Sequence, residues 1–282
     1  MHKIVGLVGY PLGHSLSPAM QNAAFKHLGL DCEYVLFEVK PKDLSEALHG
    51  MRALHIAGFN VTIPHKETIL PLLDEVTQLA RIIGAVNTVK TQEGLLVGYN
   101  TDGPGFIDSL KDGAKMKPKG KKVVLLGAGG ASRAVSVMLA EAGVKSLFVT
   151  DIQEEKAQDL VSYVGSYFEI ESESIPANHH RLQKLIAEAD LLVNSTPIGM
   201  HPKINESPLP EGIKLPKNLI VYDLVYNPAE TKLIKTAKAS GCKTFSGLDM
   251  LVRQGAMAFT IWTGLEAPLA VMRQAAEAAL WQ

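Results

Sequence analysis

The chain is poor in cysteine, in net charge and in long hydrophobic runs, and each scarcity excludes something. Its two cysteines, Cys32 and Cys242, stand far apart with no CxxC spacing. Neither a disulfide framework nor a thiolate zinc knuckle is therefore expected, and a reducing compartment is. Lys and Arg number 28 against 29 Asp and Glu, a net charge of -1. With neither a basic excess nor a basic stripe, nonspecific nucleic-acid binding is disfavoured. No stretch approaches the ~18 apolar residues of a membrane span. The apolar run at 4–9, closed by Pro11, is too short for a signal-peptide core and lacks a small-residue cleavage site. The expectation is a soluble, cytoplasmic protein, monomer or homodimer, that engages neither membrane nor nucleic acid. A nucleophile elbow G-x-S-x-G is also missing, so no Ser-His-Asp hydrolase is supported. His179-His180 has no third ligand at metal spacing, so no metal is expected.

What is present is ordinary globular material, 46% hydrophobic and 20% charged. At ~150 residues per domain, the 282 residues suggest two domains. Short β-like runs alternate with helical patterns, the signature of an α/β fold. Strands are expected at 4–10, 33–39, 58–63, 86–90 and 95–98, the last two turning at Glu93-Gly94. Helices are expected at 18–28, with Ser17 as cap, and at 42–53. The stretch 112–122 is basic, carries Gly and Pro and has no periodicity, so it reads as a solvated linker into a second domain. Beyond it a buried strand at 122–126 runs into Gly127. Ala131, Ala134, Val135, Met138, Leu139 and Ala142 then follow helical spacing up to Gly143. Further runs at 146–150, 191–194, 219–223 and 243–245 complete a parallel sheet. Ala157, Leu160, Val161 and Val164 mark an amphipathic helix, and two more helices, at about 248–263 and 268–281, end the chain.

Residues 123–134 read Val-Val-Leu-Leu-Gly-Ala-Gly-Gly-Ala-Ser-Arg-Ala. Gly127 permits a tight strand-to-helix turn, Gly129 leaves room for a pyrophosphate, and the helix behind them aims free N–H groups at it. Ser132 takes the third position of G-x-G-x-x-G/A, implying a helix that packs slightly less closely or is shifted. A ligand-free glycine turn is the ordinary alternative, and the strand before and amphipathic helix after weigh against it. Asp151 follows Gly127 by 24 residues, near the ~20 at which an acid meets the ribose 2′-hydroxyl. A carboxylate there repels a 2′-phosphate, so NAD is expected over NADP, although Lys156 leaves NADP open. The alternative is that Asp151 caps the next helix.

The first hundred residues are dense in polar groups at turn-like positions: Gly13-His14-Ser15-Leu16-Ser17-Pro18, Asn60-Val61-Thr62-Ile63-Pro64-His65-Lys66-Glu67, Gly84-Ala85-Val86-Asn87-Thr88 and Asn100-Thr101-Asp102-Gly103. Hydroxyls and amides of this kind suit a polyhydroxylated acid, Lys66 carries a transferable proton, and Asp102 accepts from it. Pro64 places Lys66 at a helix start, where the dipole lowers its pKa while Asp102 raises it. On spacing alone Lys66 is equally a surface lysine, Asp102 a helix cap and Asn87 a turn residue. His14 and His65 read as structural, and Trp262 and Trp281 as core or interface.

These segments, with Asn194-Ser195-Thr196-Pro197-Ile198-Gly199-Met200, Tyr222-Asp223-Leu224-Val225-Tyr226-Asn227-Pro228 and Gly247-Leu248-Asp249-Met250 through Gln254-Gly255, resemble the shikimate dehydrogenase family over nearly the whole chain. The resemblance implies reversible reduction of 3-dehydroshikimate to shikimate by a nicotinamide cofactor. It implies Lys66 and Asp102 as the catalytic acid–base pair, Ser15 and Ser17 on the substrate carboxylate, and Thr62, Asn87 and Gln254 on the ring. Tyr226 is implied near the carboxylate. The glycine turn (Gly127, Ala128, Gly129, Gly130, Ala131), Asp151 and Thr196 are expected to hold the cofactor, and the resemblance implies Gly247 and Met250 at the nicotinamide edge. The implied fold is an N-terminal α/β substrate domain plus a Rossmann-like dinucleotide domain, the first discontinuous: 1–111 with 247–282 around 112–246. NADP-using members typically carry Asn-Arg-Thr where this chain has Asp151-Ile152-Gln153, which resembles the NAD-using quinate/shikimate branch. Ser17 instead resembles shikimate-specific members. The alternatives are a quinate/shikimate dehydrogenase, a non-catalytic NAD-binding sensor, and a related dehydrogenase of amino acids or folates.

Overall fold

The computed structural model describes residues 2–13, 15–176 and 179–280, without the side chain of His179. His14 and Trp281 therefore lie outside the described residues. The chain divides into two compact units, Met1–Gly105 with Leu251–Gln282, and Phe106–Met250. Among the described residues no helix is long and apolar enough to cross a membrane.

The first unit is built on a mixed sheet of β1 (Lys3–Gly9), β2 (Cys32–Glu38), β3 (Gly58–Val61), β4 (Glu75–Val76), β5 (Thr88–Gln92) and β6 (Leu95–Tyr99), in the order β2-β1-β3-β5-β6-β4. β1 pairs in parallel with β2 and β3, while β3–β5 and β5–β6 are antiparallel. The β5–β6 hairpin turns at Glu93 (φ 52°) and Gly94 (φ 82°), the left-handed pair that matches strand twist. Around the sheet lie α1 (Ser17–His27), α2 (Leu44–Ala53) and α3 (Gln78–Ile83). Leu44, Leu48 and Met51, at helical spacing on α2, pack on Val8, Phe59, Val61 and Val89. α4 (Asp102–Asp108) follows β6. Trp262 is core, as expected: its Nε1–H donates to the Val89 carbonyl at 2.9 Å. A Cβ on Gly58 would lie 2.5 Å from its indole.

In the second unit β7 (Lys122–Leu126), β8 (Ser146–Thr150), β9 (Glu171–Ser174), β10 (Leu191–Asn194), β11 (Ile220–Asp223) and β12 (Lys243–Ser246) form an all-parallel sheet, β12-β11-β10-β7-β8-β9. That is the doubly wound dinucleotide-binding order, with its switch point between β7 and β10. Its four central strands, β7, β8, β10 and β11, are buried on both faces, which explains runs such as Val-Val-Leu-Leu that do not alternate, while the edge strands β9 and β12 are partly exposed. The helices are α5 (Gly130–Glu141), α6 (Glu154–Tyr167), α7 (His179–Glu188) and α8 (Lys232–Ala239), and α9 (Leu248–Thr263) and α10 (Leu269–Leu280) follow. α10 packs on α1.

Three local expectations are corrected. The 112–122 stretch is not a solvated linker. A π-helical turn, Ser109–Gly113, extends α4, and Ala114 and Met116 are each only 5% exposed. Their N–H groups bond back to Ser109 and Leu110, so lysines alternate outward over a packed strip. Ser17 does not cap α1; the Ser15 hydroxyl accepts the Ser17 N–H instead. Lys66 does not begin a helix but sits in a turn, with a single 3₁₀ turn, Leu70–Leu72, further on, so no helix dipole acts on it. β4, α3 and β9 are short and carry little periodic signal, whereas α7 and α8, also not anticipated, do carry it: Leu182, Leu185 and Ile186 on α7 and Leu233, Ile234 and Ala237 on α8 stand at helical spacing and pack into the core.

Candidate active site

The polar segments of the first unit converge at the ends of β3, β5 and β6. Lys66 is carried by the turn after β3, held where its carbonyl accepts the Val86 N–H at 2.8 Å. Asp102 opens α4, whose first turn is capped by Asn100: its side-chain oxygen accepts the Gly103 N–H at 3.1 Å. These two anchors bring the Lys66 Nζ to 2.7 Å from Asp102 Oδ2, with side chains only 16% and 8% exposed. Asn87 Nδ2 donates to the other carboxylate oxygen at 2.9 Å. The Asn87 side-chain oxygen accepts the Thr101 N–H at 2.7 Å, which settles which way its amide faces. Gln254, from α9, brings Oε1 within 3.3 Å of Asn87 Nδ2 and 3.4 Å of the Thr101 hydroxyl.

A lysine ammonium has three N–H donors, and only one of those on Lys66 is directed at Asp102. The carboxylate orients Nζ in a largely buried site, where charge-assisted bonds are strong. Behind the pair, Asn60 donates to the Asn87 carbonyl at 3.1 Å and to the Thr88 hydroxyl at 2.9 Å. Its side-chain oxygen accepts from the Tyr34 hydroxyl at 2.8 Å. Burial pushes the Tyr34 phenol far up, with the Ser17 hydroxyl pulling it partly back. Thr62 lies just beyond β3, its N–H on the Val8 carbonyl. His65 is structural: it is 1% exposed, and its Nε2–H donates to the Val39 carbonyl at 2.7 Å.

In the second unit Gly127 holds φ 102°, and a Cβ on it would lie 2.9 Å from Thr196 Cγ2 and 3.0 Å from Ser195 Oγ. Gly129 differs. Its φ of -85° suits any residue, and a Cβ there would meet no protein atom within 4 Å. Neither strain nor packing asks for glycine at 129, so the open space beside it fits a dinucleotide pyrophosphate. The first N–H groups of α5, from Gly130 and Ala131, have no carbonyl of their own helix to meet. Ser132 does not loosen α5. It is buried, and it donates to Ser195 Oγ at 2.7 Å while Ser195 donates to the Leu126 carbonyl at 2.7 Å, tying α5 to the ends of β7 and β10.

Asp151 is fully employed in the turn. It accepts the Ala128 N–H on Oδ2 and the Gln153 N–H on Oδ1, both at 2.8 Å. The Ala128 N–H thus points at Asp151. Thr196 donates its hydroxyl to Asn194 Oδ1 at 2.7 Å. Gly247 admits no side chain, since a Cβ would stand 2.0 Å from the Leu224 carbonyl oxygen. Met250 is 7% exposed, and burial raises the Tyr226 phenol.

Lys66, Asn87, Asp102 and Gln254 thus share one hydrogen-bond network. Ser15 and Ser17 form a second group at the start of α1, and the glycine turn a third with Asp151 and Thr196. Sequence reasoning left Asn60, Thr88, Thr101, Asn194 and Asp223 out of the site, although each stands inside one of the motifs named above. Tyr34 carried no signal, because in a strand it reads as core.

Residues 7–89 match the family model of the shikimate dehydrogenase substrate binding domain, 111–229 that of shikimate / quinate 5-dehydrogenase, and 247–277 that of the shikimate 5′-dehydrogenase C-terminal domain. A shikimate dehydrogenase (NADP(+)) of Desulforamulus reducens is 46% identical over 96% of this chain and 93% of its own. One of Moorella thermoacetica, also named NADP(+), is 48% identical over 95% and 90%. The solved shikimate 5-dehydrogenase of Thermus thermophilus, in complex with NADP(H) and shikimate, superposes with a TM-score of 0.87 at 39% identity, covering 98% of this chain and 99% of that one. These relatives overturn the NAD preference inferred from Asp151. The physical reason lies in the turn: both carboxylate oxygens serve backbone N–H groups, so an aspartate at this position is explained without a ribose.

Proposed function

The chain belongs to the shikimate dehydrogenase family and is an oxidoreductase, and on that premise we propose that it interconverts shikimate and 3-dehydroshikimate with NADP(H), using Lys66 and Asp102 as its proton-handling pair. The observation that carries this reading is the 2.7 Å contact between two largely buried, opposite charges, backed by Asn87 and Gln254. A hydride acceptor or donor is the one component the side chains do not supply, and NADP(H) supplies it.

The first unit does the rest. In the reducing direction the ring carbonyl carbon gains the hydride and its oxygen becomes anionic. Lys66 hydrogen-bonds that oxygen and gives it a proton, forming the hydroxyl O–H bond as one Nζ–H bond breaks. Asp102 holds Nζ in place for the transfer. In the oxidising direction Lys66 takes the hydroxyl proton. Asn87 and Gln254 present an amide face to neighbouring ring hydroxyls. Ser15 and Ser17 offer hydroxyl donors to the carboxylate, with Thr62 on the ring and Tyr226 supporting the acid end. The second unit takes the nucleotide at Gly127–Ala131, with Thr196, Gly247 and Met250 along the same binding surface.

The test is steady-state formation of reduced nicotinamide from shikimate and NADP(+), with quinate as comparator. Turnover with shikimate at enzyme-like efficiency is expected, and its absence with every pair refutes the reading.

A further inference from the structure

Asp223 ends β11 with a carboxylate that is completely shut from solvent. Such a burial is costly unless the oxygens are hydrogen-bonded, and here each is. Oδ2 accepts from the Thr231 hydroxyl at 2.6 Å, and Oδ1 accepts from Asn194 Nδ2 at 2.8 Å and from the Val225 N–H at 3.0 Å. An apolar side chain would fill the space without the desolvation. What the carboxylate adds is acceptors.

Each donor belongs to a different segment. With Nδ2 fixed on Asp223, Asn194 must turn Oδ1 the other way, where it accepts the Thr196 N–H at 3.0 Å and the Thr196 hydroxyl at 2.7 Å. The Thr196 oxygen then accepts the Ile198 N–H at 3.2 Å, closing the loop after β10. This is the loop whose Thr196 and Ser195 would meet a Cβ on Gly127. Val225, held by its N–H, accepts the Gly247 N–H on its carbonyl at 3.3 Å. Thr231 caps α8 through the Ile234 N–H at 3.2 Å.

We propose that Asp223 is a positioning residue for NADP(H) binding: through Asn194 and Val225 it sets the post-β10 loop against the glycine turn and holds the strip bearing Gly247. It touches neither substrate nor nucleotide. The inference rests on the reading that the second unit binds NADP(H).

Two substitutions separate its acceptors from its volume. Asp223→Leu keeps comparable size and removes every acceptor. Asp223→Asn keeps Oδ1 for Asn194 and Val225 and turns its amide nitrogen to the Thr231 oxygen, which is able to accept. NADPH affinity is measured on the enzyme without substrate by the fluorescence of the reduced nicotinamide, alongside KM for NADP(+) and for shikimate and circular dichroism for the fold. Asp223→Leu is expected to weaken NADPH about tenfold, the worth of one or two lost hydrogen bonds, and to raise KM for NADP(+) in step, with KM for shikimate within about twofold. Asp223→Asn is expected to stay within about threefold of wild type. Should Asp223→Leu not accumulate folded, Asn194→Ala, which leaves Asp223 two of its donors, is expected to weaken NADPH at least fivefold. A folded Asp223→Leu or Asn194→Ala with wild-type NADPH affinity overturns the proposal. So does an equal rise in both KM values, or an Asn variant as weak as the Leu one. Failure of the wild type itself to bind NADPH strikes the underlying reading instead.

Discussion

Replacing Lys66 by methionine removes the ammonium while keeping most of the side-chain length. Two separate losses follow. The first is chemical: a positioned general acid contributes typically 10²–10⁴-fold, so kcat is expected to fall about a thousandfold. The second is structural. Asp102, whose side chain is 8% exposed, loses its 2.7 Å partner and keeps the Asn87 amide on its other oxygen. An uncompensated buried charge costs about 3 kcal/mol, which lowers Tm by roughly 8 °C for a chain of this size. Pairing the change with Asp102→Asn separates the two losses. The double variant no longer buries a lone charge, so its Tm is expected to recover most of the loss while kcat stays at the floor. Thermal melts and shikimate-dependent turnover on the same preparations decide the matter. A Lys66→Met enzyme within tenfold of wild-type kcat, or a double variant that regains turnover with its stability, would refute the assignment.

Other outcomes follow from individual contacts. Gly129→Ala is expected to cost about 1 kcal/mol of stability, because glycine is the better N-cap for α5. NADPH affinity, read by fluorescence titration, falls more than tenfold as the methyl enters the open space. Tyr34→Phe leaves the buried Asn60 oxygen without the phenol donor 2.8 Å away. Urea unfolding should register about 1–2 kcal/mol, with only a several-fold loss in kcat/KM. Burial holds the Asp223 carboxyl above its ordinary value, opposed by its three hydrogen-bond donors. The folded chain therefore keeps that proton to higher pH than the unfolded chain, and stability falls as pH rises from about 4 through the raised value. Relative to wild type, Asp223→Asn should accordingly gain Tm on moving from pH 4 to 7, and a constant difference would contradict the assignment.

Much of the scaffold was legible because its causes are local. The run Val123–Leu126 is apolar on both faces, and the helical spacing after it, Gly127 and Gly143 are properties of neighbouring residues. They located β7, the turn and α5 without any knowledge of the partner strands. Glu93-Gly94 placed the hairpin for the same reason. Where local cues misled, a long-range contact was responsible. The lysines of 112–122 suggested solvent, yet Ala114, Met116 and Pro118 between them are buried. Asp151 stood at the spacing of a ribose ligand, but its two oxygens close a turn onto Ala128 and Gln153.

The two-domain α/β class, the glycine turn and the polar segments that make up the site are all readable in the order of residues alone. Backbone conformation and hydrophobic period act over a few residues, and one chain displays them directly. Tertiary structure alone decided which of those polar groups meet. Asn87 reaches Asp102 across 15 residues and Gln254 across 167, and a buried amide has no preferred partner until packing brings one within hydrogen-bonding distance. The same holds for Asp223, whose carboxylate became the junction of three segments only when β10, β11 and the start of α8 were laid side by side.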